Sequence, residues 1–337
     1  MNCADDFPEA GCEHFSPSAD KEPFTARMRF HQSWYRRRVL GLEPGPNPHA
    51  RGVAYGNMLR GSDGRCGRNF LSAETFARAL ERFPLTSRGA GSNRLYCNML
   101  GSQTMCFNLF GPLRSDRGMS LATRLLALLP NAPQDASVTG VSFEHAPNKA
   151  LHLQDATSFD AFITYARPGG ARGFIGIETK LTEPFSRCKY AFAPRYARWL
   201  ELHRSTWWWR SEAEALFSDT ACNQLWRNHL LAFSMLHQDA PDFTEGYCAV
   251  VYPRQDNACA SAILDYRERL LPSGEATLLD WPLDTVCYCW EPALETDAER
   301  QWLHDFRVRY LDLDASEPAW TAYQARSQPL QGAGDSR

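Results

Sequence analysis

The chain has 337 residues, 44% of them hydrophobic and 12% aromatic, with a formal charge of −3. This is ample apolar material for one large or two moderate domains and excludes a disordered chain. No run approaches the roughly eighteen apolar residues of a membrane span, and the net charge gives no global attraction to nucleic acid, although a local basic surface still can.

Residues 1 to about 25 read as a polar, Pro-containing arm. Arg27–Leu40 predicts a helix with Phe30, Trp34, Tyr35 and Val39 as apolar contacts, ended by the Pro/Gly-rich Gly41–Pro48. Ser72 is the N-cap of a run to Phe83, which Pro84 stops. Asn93–Phe110 reads as one helix closed by Gly111-Pro112, and Ser120–Leu129 as another closed by Pro130. The period then changes. Ser137–Glu144, Ser158–Tyr165 and Gly173–Lys180 read as strands, the last two separated by the turn Arg167-Pro-Gly-Gly170. A long helix, Asp219–His237, returns the chain to a short buried strand, Gly246–Tyr252. Short turns between three strands predict an antiparallel meander. Cys287-Tyr-Cys289 resembles strand alternation, Arg300–Asp312 a late helix, and the tail beyond Trp320 looks frayed. The expected division is 1–90 for the arm and N-terminal helices, 91–255 for the core, and 256–337 for a C-terminal extension with a disordered tail.

The eleven cysteines are scattered and form no CxxC pair, as for buried thiols in a reducing cell. The start, Met1–Phe7, lacks the basic and apolar regions of a secretory signal, so a cytoplasmic location is expected.

Only four lysines stand against thirty-two arginines, and one of them closes an apolar strand: Gly173-Phe-Ile-Gly-Ile-Glu178-Thr-Lys180. Residues two apart on a strand share a face, so Glu178 and Lys180 point the same way. Asp160 lies within the equally apolar preceding strand. Buried carboxylates are costly unless paired or metal-bound. Two acids on adjacent strands beside an ammonium suit a centre that hydrolyses phosphodiesters, with Asp160, Glu178 and the Thr179 carbonyl as hard oxygen ligands for Mg²⁺. Lys180 would orient water or stabilise phosphorane charge. The alternative is a plain ion pair at a strand end. Arginines cluster at Arg36–Arg38, Arg60, Arg65 and Arg68, and a second basic group, Arg187, Lys189, Arg195, Arg198 and Arg204, follows the Glu-Thr-Lys strand.

With these residues in place, the stretch from about Asn93 to Tyr252 resembles the PD-(D/E)XK nuclease superfamily, and within it a branch of bacterial putative restriction endonucleases. The matching text is Gly101-Ser-Gln-Thr-Met-Cys-Phe-Asn-Leu-Phe-Gly-Pro112, Val141-Ser-Phe-Glu144, Ser158-Phe-Asp160 and Gly173–Phe185. The resemblance implies an α/β fold: a restriction-endonuclease-like αβββαβ core with a mixed central sheet, an N-terminal helical region and a C-terminal extension. It also implies Asp160 and Glu178 as metal ligands, Lys180 as the catalytic lysine, and Mg²⁺ as cofactor with Mn²⁺ as substitute. Phe159 stands where the family motif has proline. Asp155 is the rival for the aspartate role, but it precedes the strand.

Glu144 is either an extra acid reaching the metal or a strand-end surface acid. Gln224, Arg227 and Asn228 share a polar stripe, and the family places a supporting Gln or basic residue on this helix; Gln224 and Arg227 are the supporting candidates, against a solvated helix face. Gln103 and Asn108 either hold the acids or are surface amides. Glu183 reads as a solvated loop acid, and His145 and His229 as hydrogen-bonded core residues. Burial is favoured over base stacking for Trp207-Trp208-Trp209. The expected activity is metal-dependent endonucleolytic hydrolysis of double-stranded DNA by a homodimer without membrane partners, with a role in restriction or host defence by family analogy. An RNase or repair exonuclease on the same core, or a non-catalytic nucleic-acid-binding protein, are the alternatives.

Overall fold

A computed structural model describes residues 22–46, 54–85, 90–186, 194–202, 206, 208–210, 222–238 and 242–327. Helices of the first half are α1 (Pro23–Arg38), α2 (Gly61–Arg65), α3 (Ala73–Arg82), α4 (Ala90–Cys97), α5 (Ser102–Phe110) and α6 (Asp116–Leu126). Those of the second half are α7 (Pro194–Leu202), α8 (Asn223–His237), α9 (Asn257–Arg267), α10 (Pro272–Glu275), α11 (Leu283–Trp290), α12 (Asp297–Tyr310) and α13 (Glu317–Ser327). The strands are β1 (Pro44–Pro46), β2 (Ala54–Leu59), β3 (Ser137–His145), β4 (Phe159–Ala166), β5 (Arg172–Thr179), β6 (Glu245–Tyr252) and β7 (Leu278–Pro282). None of the described helices is long and apolar enough to cross a membrane.

The chain forms two compact units. Met1–Leu71, Leu85–Thr104 and His304–Arg337 make one; Ser72–Pro84 and Met105–Leu303 make the other. In the first, α1 begins with Pro23 in its first turn and ends on Arg36, Arg37 and Arg38, which suit the negative end of the helix dipole. Arg36 is fully buried and donates from Nε to Gly56 O at 2.7 Å, so it leaves the basic surface suggested by the Arg36–Arg38 run. The expected Asn93–Phe110 helix is two helices, because Asn98 leaves the helical path to bridge Met58 of β2. Met99 N donates to Asn57 O at 2.9 Å and Leu100 N to Asn98 Oδ1 at 3.1 Å, so the break satisfies its own backbone. The tail expected to fray beyond Trp320 continues as α13 to Ser327, with Trp320 and Tyr323 packed on Phe30 at 5.1 and 5.5 Å between ring centroids.

The second unit is built on a mixed five-stranded sheet in the order β3-β4-β5-β6-β7. The β3–β4 and β4–β5 pairs are antiparallel, β5–β6 and β6–β7 parallel. The β4–β5 turn uses Gly169 and Gly170 at φ 91° and 89°, a region that side chains with a Cβ avoid. α8 carries the chain back so that β6 lies parallel to β5, as parallel pairing requires a crossover. β7 comes from beyond residue 255, so the sheet extends into the stretch expected to be an extension. Cys287 and Cys289 lie on helix α11 rather than on a strand; Val286, Cys287 and Trp290 form its buried side, a helical spacing.

Phe162, Phe174, Cys248, Val250 and Tyr252 of the sheet form a core with Trp226, Leu230 and Phe233 of α8 and Ile263 and Tyr266 of α9. Trp208 and Trp209 are buried in the same core; Trp207 lies outside the described residues. At the β3 edge, Phe107 of α5 stacks on Phe143 at 4.3 Å, and Val138 N donates to Thr123 Oγ1 of α6 at 2.9 Å.

Candidate active site

The last shared row of the three antiparallel strands is Phe143–Ala161–Ile177. One residue further along each strand stand Glu144, Asp160 and Glu178. Directly opposed residues of antiparallel strands share a face, so the register assembles three acids at one end of the sheet. Beyond Ala161↔Ile177 the β4–β5 pairing stops, and the Asp160 side chain takes over. Its Oδ2 accepts from Thr179 N at 2.8 Å and from Thr179 Oγ1 at 2.7 Å.

Glu178 and Lys180 are both buried, and Nζ donates to Oε1 at 2.7 Å. Lys180 N donates to Val251 O at 2.9 Å, which keeps the lysine on the β6 ladder after β5 has ended. Nζ also lies 5.2 Å from the Phe185 ring centre, so the ammonium has an aromatic face as well as a carboxylate.

The first turns of α8 complete the arrangement. Gln224 Nε2 donates to Glu178 Oε1 at 2.5 Å, while its Oε1 accepts from Lys180 Nζ at 3.1 Å and from Ser186 N at 2.6 Å. Asn228 Nδ2 donates to Glu178 Oε2 at 2.8 Å. Arg227, expected beside the acids, turns elsewhere: its guanidinium donates to Asn223 Oδ1 and Thr157 Oγ1, each at 2.9 Å. The reason is helical phase. Position i+4 lies about 40° from Gln224 around the axis and i+3 about 60° the other way. Once Gln224 faces Glu178, that phase leaves Asn228 beside the same carboxylate and turns Arg227 away.

Gln103 lies in the first unit and Asn108 in the second. Asn108 is fully buried, and its carbonyl accepts from Trp302 Nε1 at 2.9 Å. Asp155 sits in the turn before β4, accepting from Thr157 N at 2.8 Å and Tyr196 OH at 2.8 Å. Glu183 Oε2 accepts from Leu181 N and Thr182 N in the loop after Lys180. His229 is a core residue bonded to Tyr266 OH at 3.0 Å and Thr277 Oγ1 at 2.8 Å. His145 stacks on Phe162 at 3.8 Å. Of the second basic group, Arg187, Lys189 and Arg204 lie outside the described residues.

Glu144 has φ 50°, uncommon for a residue with a side chain, while Phe143 and His145 on either side keep their register with β4. Such strain persists only where the surroundings over-determine it. Burial, followed by the negative charges of Glu178 and Glu144, holds the Asp160 carboxyl well above the usual carboxylate range. Burial opposes the Lys180 charge, but Glu178 and Asp160 outweigh it and carry the ammonium above its ordinary value. Three acids against one ammonium leave a local excess of negative charge.

The donors are carboxylate and carbonyl oxygens, hard ligands suited to a divalent ion such as Mg²⁺. Among the described residues, no three His, Cys, Asp or Glu side chains form a ready-made metal cage. Mg²⁺ commonly binds through one or two carboxylates and keeps several waters, so the residues present fit such an ion. Asp160, Glu178 and the Thr179 carbonyl would hold it, with Glu144 in the same row.

The sequence model of the PD-(D/E)XK nuclease superfamily matches residues 18–312. No curated protein and no protein of solved structure matches the chain.

Proposed function

The chain belongs to the PD-(D/E)XK nuclease superfamily, and we propose that it is a metal-dependent endonuclease that hydrolyses phosphodiester bonds of DNA, acting in the cytoplasm in restriction or host defence. The observation that carries the catalytic part is the meeting of Asp160, Glu178 and Lys180 at one sheet end, with Nζ 2.7 Å from Glu178 Oε1. A bound divalent cation would supply charge neutralisation at the phosphate and a more acidic water.

The protein's own groups do the rest. Thr179 fixes Asp160 through two donors on one oxygen, leaving the other carboxylate oxygen for ligation. The Glu178 carboxylate beside it favours the charged form of Lys180, so the ammonium acts as a hydrogen-bond donor and a fixed positive charge. From that position the ammonium can hold the attacking water or the non-bridging phosphate oxygen as negative charge develops there. Gln224 ties Lys180 and Glu178 to the Ser186 amide, which limits the motion of both.

The preference for DNA and for an endonucleolytic cut follows the restriction-like sequence blocks around Gly101–Pro112 and Gly173–Phe185. The test is incubation with a supercoiled DNA circle and Mg²⁺ or Mn²⁺, with EDTA and the Asp160→Ala and Lys180→Ala variants as controls. Nicking or linearisation by the wild type alone, abolished by EDTA, is expected. Digestion confined to RNA or to DNA ends would overturn the DNA endonuclease reading. Equal cleavage by the variants would overturn the site.

A further inference from the structure

Glu178 accepts three hydrogen bonds, and they are unequally shared: Lys180 and Gln224 on Oε1, Asn228 alone on Oε2. A carboxylate oxygen offers two in-plane lone pairs, so Oε1 is saturated and Oε2 keeps one lone pair. The pattern on Asp160 is similar, with both Thr179 donors on Oδ2. Each acid therefore presents one oxygen that its protein neighbours have not filled, among the described residues.

We propose that Asn228 is a positioning residue for the metal centre: it fixes the plane of the Glu178 carboxylate and so selects Oε2 as the oxygen offered to the cation. This rests on the metal-centre reading above. Oε1 is anchored by a charge and by an amide that is itself anchored to Ser186 N at 2.6 Å. Donors on Oε1 restrain rotation about the Cγ–Cδ bond from one end of the carboxylate, and the Asn228 donor restrains it from the other end and narrows the positions that Oε2 can take. Asn228 suits the task because it is rigidly placed. It is buried within α8, and its own carbonyl accepts from Cys248 Sγ of β6 at 3.3 Å. An amide is also neutral, so it orients the acid without cancelling the negative charge that attracts a cation. Groups that orient a metal ligand typically change metal affinity by about 10–100-fold when removed.

The experiment is titration of the full chain with Mn²⁺ alone, followed by calorimetry and by the Mn²⁺-dependent rise in melting temperature. Asn228→Ala is expected to weaken Mn²⁺ binding about 10–100-fold, while the metal-free protein, having lost one hydrogen bond to a buried carboxylate, melts lower but still cooperatively. Asn228→Ser, a smaller hydroxyl donor that guards against misfolding of the alanine variant, is expected to fall between the two. Glu178→Gln separates the two levels. If Glu178→Gln abolishes Mn²⁺ binding and both Asn228 variants bind as the wild type does, the positioning role is overturned alone. If Glu178→Gln binds Mn²⁺ normally, the metal centre and the positioning role fall together.

Discussion

Glu178 and Lys180, two residues apart on the chain, meet as a buried ion pair with 2.7 Å between Oε1 and Nζ. Strand geometry puts them on one face, but burial makes the pair costly to divide. Removing one partner leaves the other charged in a poor solvent.

Lys180→Met should therefore destabilise the protein by about 3–5 kcal/mol, and adding Glu178→Gln should recover most of that loss. Urea unfolding midpoints of the two single variants and the double variant measure it. Cleavage by Lys180→Met should fall by at least about 10²-fold, as for loss of one fixed charge-stabilising donor. A single variant as stable as the wild type would contradict burial of the pair.

Asp160→Asn keeps an oxygen for the Thr179 donors and removes one of three neighbouring negative charges. Burial and the charges of Glu178 and Glu144 raise the Asp160 pKa, so the fold disfavours its ionised form relative to the unfolded chain. Its contribution is fully present below the ordinary carboxylate value and is lost as pH rises through the folded value. At neutral pH without metal, Asp160→Asn should melt higher than the wild type, and Mn²⁺ should no longer raise its melting temperature. Differential scanning calorimetry with and without Mn²⁺ reads both effects.

Burial lowers the His229 pKa from 6.5 to about 3. A depressed folded pKa means that stability is intact above pH 6.5 and is lost as pH falls toward 3, at up to about 1.4 kcal/mol per pH unit for one proton. His31, buried in the first unit, has its pKa lowered to about 4 and adds to the same acid sensitivity. His229→Gln should flatten the dependence of the urea midpoint on pH between 6 and 4, relative to the wild type, by roughly one proton's worth.

Gly176 stands two residues before Glu178, and a Cβ built there lies 2.4 Å from the Phe159 ring. Phe159 precedes Asp160. Gly176→Ala should cost about 1–3 kcal/mol by overpacking and should weaken Mn²⁺ binding by displacing the strand that carries Asp160. Chemical denaturation and metal titration of the same sample would show the two losses together, and the loss of either alone would separate packing from the site.

Arg227→Ala gives the contrasting result. Its guanidinium bonds to Asn223 and Thr157, not to the acids. Stability should fall while Mn²⁺ affinity stays within about threefold of wild type, below the range expected for a group that orients a ligand. A loss of affinity as large as that from Asn228→Ala would place Arg227 in the site.

The strand pattern around Asp160 and Glu178 was legible because alternation, Gly-Gly turns and apolar runs act over a few residues. The helix breaks were less so. Asn98 ends α4 through bonds to β2, including one to Asn57, 41 residues away in sequence, while the apolar residues on both sides of it continue the helical pattern across the break. β7 escaped notice because Leu278–Pro282 is short and its strand character comes from pairing with β6.

By itself, the sequence determined the αβββαβ order, the family resemblance, and the shared face of Glu178 and Lys180, all consequences of short-range periodicity and residue type. Only the tertiary structure decided that Glu144, Asp160 and Glu178 fall in one row, since that depends on register between strands distant in sequence. It also decided that Asn228, not Arg227, reaches Glu178. A helix fixes the angle between its side chains, but packing against the sheet fixes which angle faces the acids.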